Sequence, residues 1–252
     1  MIPVRCAPKP EWFDEHVAIP GDIAIQIRVG KIPHDGAPLQ RTYKCPEEIP
    51  TDEFPAIWRR KRIIDGKNTI DHMMDAYGQY CAYLGLRIES GTGSPTIDHF
   101  IPISRDWKRV YDWYNYRLCS SRVNSKKGAK SVVDPFEVEH GWFNLTLNTG
   151  IVRAGKAPDS KHALIQETLP ILNLRGCVVQ RREFFRRYLG GTRFEDITYY
   201  APFVAYEIWR QKQLRPEDQD STWPPNPTNT IPATHSQHSP TPAPKPIPSP
   251  RG

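Results

Sequence analysis

Residues 95–104 read PTIDHFIPIS, and residues 112–128 read DWYNYRLCSSRVNSKKG. The first run is rich in β-branched and apolar residues and lies between Gly/Ser on one side and charge on the other, which predicts a strand. Residues 105–114 form a charged, aromatic connection, and Tyr116–Ser120 returns as a second strand. Ser121–Ala129 opens a helix that Gly128 weakens. The expected unit is a hairpin followed by a helix, with polar side chains projecting from both.

Those polar residues have a pattern. Asp98-His99 sits on the first strand, Asn115 lies sixteen residues beyond His99, and Asn124 nine further on. Phosphodiester hydrolysis needs a water deprotonated near neutral pH, which suits a positioned histidine. It also needs the charge developing on phosphoryl and leaving oxygens to be neutralised, which suits a hard cation held by oxygen ligands. Asp98 and His99 occupy successive, oppositely directed strand positions. His99 would therefore face substrate while Asp98 reaches a metal, if local curvature brings both to one rim. The chain supplies a control: Asp71-His72 lies in a helical stretch with no asparagines downstream, and reads as structural.

This pattern resembles the HNH endonuclease motif in its HNN form, as found in bacterial stand-alone HNH proteins. The resemblance implies an α+β fold: a ββα-metal core, residues 95–135, embedded in a mainly helical body with a small extra hairpin. It makes His99 the general base and Asn115 the group that braces the loop and orients that base. Asp98 and Asn124 become the ligands of one divalent ion. An amide oxygen in the second ligand position implies Mg²⁺ or Mn²⁺. Many relatives carry two CxxC knuckles around this core; here Cys81 is followed at +3 by Leu84 and Cys119 by Arg122, so no structural zinc is expected. Flanking segments extend the likeness over most of the body: Phe13-Asp14…Pro20-Gly21, Cys81-Ala82-Tyr83, Asp134-Pro135-Phe136 before Gly141-Trp142-Phe143, and Glu207…Arg210-Gln211.

Outside the core, residues 1–94 read as irregular and helical: Pro/Gly-rich to about residue 55, then two helices broken near Asp65-Gly66. Residues 136–215 read as a hairpin, Trp142–Thr149 with Ile151–Val152, and then helices over 159–174, 178–189 and 201–214. Residues 216–252 contain eleven of the 26 prolines and no core pattern, which predicts a disordered tail.

The chain of 252 residues carries a formal net charge of +6. Between Asp98 and Lys130 eight basic residues stand against three aspartates, and Arg117, Arg122, Lys126, Lys127 and Lys130 become candidate nucleic-acid contacts. A second cluster, Arg175 to Arg187, is opposed only by Glu183. Five widely spaced cysteines and an amino terminus without an apolar segment predict a reducing, cytoplasmic setting and no membrane partner. The resulting expectation is a metal-dependent DNA endonuclease. By resemblance its setting is phage defence or restriction, often with an ATPase or other defence protein as partner. A non-catalytic nucleic-acid-binding or scaffold protein that retains the hairpin stays open, as does an RNA-directed nuclease.

Overall fold

The computed structural model describes residues 1–34, 38, 41–60, 64–89 and 93–219. Among them the fold is α+β, with seven α-helices and two two-stranded antiparallel sheets. The helices are α1 (Ile19–Arg28), α2 (Thr69–Ala76), α3 (Ser121–Lys127), α4 (His162–Leu172), α5 (Arg175–Leu189), α6 (Phe194–Tyr200) and α7 (Pro202–Arg210). The strands are β1 (Pro95–His99), β2 (Tyr116–Ser120), β3 (Phe143–Thr146) and β4 (Ile151–Ala154). None of these helices is long and apolar enough to cross a membrane.

β1 and β2 pair in a register that sets Asp98 opposite Arg117 and His99 opposite Tyr116. The chain passes from β2 directly into α3, where the Ser120 hydroxyl accepts from the Val123 amide as an N-cap. Both strands are buried on both faces at Ile97, Leu118 and Cys119, and Val123 closes α3 onto them. Strand, strand and helix therefore form where the sequence placed them, with the first strand ending at His99.

The amino-terminal region, read as Pro/Gly-rich irregular structure with room for one strand or short helix around Ile23–Val29, holds a helix there. A π-helical turn, Asp14–Ala18, runs into α1. The helix is continuous through Pro20, which directly follows the π-helical turn, so the wider turn lies where the chain has no N–H to donate. Gly21 packs under the Tyr111 ring so closely that a Cβ would lie 2.3 Å from it. Of the two helices expected over 54–86, α2 is the one seen among the described residues; Ile57–Arg59 is a single 3₁₀ turn. Asp71 is half of the capping box that starts α2 with Asn68, and His72 packs its ring against Trp12 at 4.5 Å. The structural reading of Asp71-His72 matches that arrangement.

Towards the carboxyl end, α7 docks on β3 through polar side chains. Buried Glu207 accepts from the Leu145 amide while Gln211 donates to the Leu145 carbonyl, so two side chains act as an extra strand partner. α5 crosses the β3–β4 turn at Gly150 (φ +74°), where a Cβ would come within 2.1 Å of the Val178 carbonyl. Buried apolar residues from Met1 to Ile208 form one connected cluster, so the region before β1 and the region after α3 share a core with the hairpin. Pro216–Asp218, assigned to the disordered tail, is a 3₁₀ turn whose Asp218 accepts from the Tyr188 hydroxyl. The rest of that expectation, residues 220–252, lies outside the described residues.

Arg181 on α5 is fully buried, and its Nε and Nη2 have no hydrogen-bond partner among the described residues; Nη1 makes one long contact, 3.4 Å, to the Gly150 carbonyl. Burying unsatisfied donors is costly, at about 1–3 kcal/mol for each group. Arg181→Met keeps the aliphatic packing and removes those donors. It is expected to raise the urea-unfolding free energy by about 1–2 kcal/mol; a loss of stability would mean that the guanidinium is satisfied in solution.

Candidate active site

The site is built at the end of β1. His99 is half-buried and its ring is held on three sides. Trp58 packs edge-on at 4.6 Å and Tyr116, its partner across the hairpin, at 5.1 Å. His99 Nε2 lies 2.9 Å from the Val110 carbonyl, which also accepts from the Tyr116 hydroxyl at 2.8 Å. A carbonyl only accepts, so the proton is on Nε2 and the lone pair on Nδ1, which has no hydrogen-bond partner among the described residues. Burial lowers the imidazole pKa to about 4, helped by the charges of Lys127 and Arg59 and opposed by the Val110 bond. The ring is therefore neutral at pH 7 and free to accept a proton, as a weaker base than an exposed imidazole.

Asn115 is buried and does not touch His99. Its amide accepts from the Ile101 N–H at 2.8 Å and donates to the carbonyls of Ile101, at 3.1 Å, and Arg109, at 3.0 Å. It thus ties the two ends of the 100–115 loop together, beside the Val110 carbonyl that holds the imidazole.

The other face of β1 carries Asp98, 2% exposed. One carboxylate oxygen accepts from Lys127 Nζ at 2.9 Å and the other from the Tyr83 hydroxyl. Lys127 Nζ also donates to the carbonyls of Phe100, at 3.1 Å, and His99, at 3.2 Å. Burial pushes the Asp98 carboxyl above the usual carboxylate range, against the pull of Lys127, Tyr83 and Arg117. Asn124 reaches β1 through its amide nitrogen, 3.2 Å from the Ile97 carbonyl. These residues do not fit a divalent ion as folded. Asp98 has both oxygens engaged, one neutral amide remains beside it, and no cluster of three His, Cys, Asp or Glu side chains occurs among the described residues. The expected local curvature is absent: Asp98 and His99 stay on opposite faces.

The five candidate nucleic-acid contacts divide. Arg122, Lys126 and Lys130 are exposed. Lys127 is buried, and so is Arg117, which pairs in bidentate fashion with Asp134 (2.8 and 2.6 Å) and lies over the Phe136 ring at 3.8 Å. These last two are internal cations, because Lys127 meets buried Asp98 and Arg117 meets half-buried Asp134 before any phosphate can reach them. Asp134 accepts from the Phe136 amide across a turn, and it also neutralises Arg117. Beside α3 a cleft of about 620 Å³ opens against the first turn of α5, lined by Ser121, Arg122, Ser125, Lys126, Arg175 and Cys177 among others. No acidic side chain is among its lining residues. Sequence reasoning missed Trp58 and Arg59, which reach His99 from a turn forty residues upstream with no motif to mark it. Cys81 and Cys119 are buried together, and burial lifts Cys81 to about 11 and Cys119 well upward, so both stay protonated thiols.

A base works only when deprotonated, and the folded imidazole loses its proton near pH 4 rather than 6.5. The acid limb of any His99-dependent rate is therefore expected near pH 4. A limb near 6.5 in a pH–rate profile would show an imidazole exposed to water.

No family model, curated protein or solved structure matches this chain.

Proposed function

We propose that this protein is an endonuclease that hydrolyses DNA phosphodiester bonds, with His99 as general base. The observation that carries the reading is the neutral imidazole: Nε2 is committed to the Val110 carbonyl and Nδ1 is left with its lone pair. In this reading Nδ1 takes a proton from the water whose oxygen attacks phosphorus, the P–O bond to the departing nucleotide breaks, and the released alkoxide takes its proton from solvent. Arg59, exposed and close enough for its charge to be felt by His99, offsets charge gathering on the phosphoryl oxygens. The basic cleft between α3 and α5 receives the flanking backbone, a contact that positions the duplex without reading its bases. The direct test is incubation with supercoiled plasmid: nicked or linear product supports the reading. No product from folded protein under any buffer or metal condition counts against it.

A second reading, a nucleic-acid-binding protein that keeps the hairpin without turnover, is favoured by one feature: Asp98 is neutralised from within by Lys127. Both readings use the cleft. Lys126→Glu combined with Arg175→Glu is expected to weaken binding of a short DNA duplex at least tenfold and to lower the slope of log K against log salt by about 2. Fluorescence anisotropy over a salt series checks this; unchanged affinity and slope would remove the cleft from the binding surface.

A further inference from the structure

We infer that the Lys127 ammonium is the resident cation of the Asp98 site, and that no divalent ion binds Asp98 in the folded protein. Three oxygens surround Nζ: Asp98 Oδ1 at 2.9 Å and the carbonyls of Phe100 and His99 at 3.1 and 3.2 Å. Those are an ammonium's three hydrogen bonds, so its donors are fully used. The remaining Asp98 oxygen holds the Tyr83 hydroxyl, and the side chains of Lys127 and Asp98 are 0% and 3% exposed.

Helical spacing places this cation. Asn124 and Lys127 are three apart on α3, so both lie on the face that meets β1. The position a metal would take between Asp98 and Asn124 is thus next to a side chain that already brings a positive charge. A hard divalent ion demands several close oxygens and retains bound waters. Here it would meet one carboxylate already neutralised, one neutral amide and almost no solvent. To enter, it would have to expel a buried ammonium and leave that charge unpaired.

Lys127 also acts on the reacting end of the hairpin. Two of its three bonds go to consecutive carbonyls, one of them that of His99 itself, where β1 turns into the loop. Lys127 is therefore a positioning residue for His99, whether or not the protein turns over substrate.

The probe is Mn²⁺ on the full chain, read by thermal melting against EDTA and by anomalous diffraction from soaked crystals. The expected result is an unchanged Tm, with Lys127 still on Asp98 and no Mn²⁺ at coordination distance from that carboxylate. Asp98→Asn and Lys127→Met should each lower Tm, and the double variant should recover most of the loss. Mn²⁺ bonded to Asp98, or a Tm rise with Mn²⁺ that Asp98→Asn abolishes, would overturn the inference. If the single variants do not fold, the wild-type Mn²⁺ measurements decide alone. Plasmid cleavage is not a readout here, so failure of the nuclease reading leaves this result standing and the reverse also holds.

Discussion

His99→Ala is expected to lower DNA cleavage by about 10²–10⁴-fold, the usual contribution of a positioned general base. Duplex affinity should stay within about twofold, because the phosphate contacts lie on α3 and α5 and not on the ring. The fold should survive, since alanine removes packing against Trp58 and Tyr116 but leaves no buried charge unpaired. His99→Gln separates two roles: an amide can still donate to the Val110 carbonyl but cannot accept a water proton at neutral pH. Both variants should be equally inactive, with the glutamine variant the more stable. A glutamine variant that cuts like wild type would show that the ring serves the loop and not the chemistry.

Lys127→Met is the second large effect, on stability. Removing one member of a buried ion pair leaves the other charge without compensation, at a cost of about 3–5 kcal/mol. Two backbone carbonyls lose their donor as well. For a chain of this size that lowers Tm by roughly 10 °C. Asp98→Asn in the Lys127→Met background keeps an oxygen for Tyr83 and removes the stranded charge, so more than half of the loss should return. Chemical denaturation of the four members of this double-mutant cycle gives the coupling directly. Additive losses would mean that Asp98 and Lys127 matter for separate reasons.

The same physics explains which readings the sequence supported. Asp98, Lys127, Arg117 and Asp134 all look like surface chemistry in one dimension, because charged residues are usually solvated. Burial on both faces of a two-stranded hairpin reverses that. Once α3 and the turn at Asp134 cover the strands, each cation near a carboxylate must pair with it, and Lys127 and Arg117 turn inward. Arg122, Lys126 and Lys130, on the uncovered side of the same helix and just beyond it, stay exposed.

Local pattern alone determined the hairpin and its helix, since strand propensity and the turn and helix signals between Pro95 and Ala129 are properties of neighbouring residues. It also determined the second hairpin and most of the carboxy-terminal helices, whose apolar periodicity is strong. The α1 helix was legible only in part: the apolar run Ile23–Val29 allowed one strand or short helix, and only the fold shows Gly21 lying under Tyr111. Only tertiary structure decided which nitrogen of His99 is bare, that Trp58 and Arg59 join it, and that Asp98 is held by an ammonium. Each of these depends on contacts between segments far apart in the chain. Spacing along a sequence records which groups can meet across one hairpin, whereas burial, and with it protonation and pairing, is set by everything that packs around it.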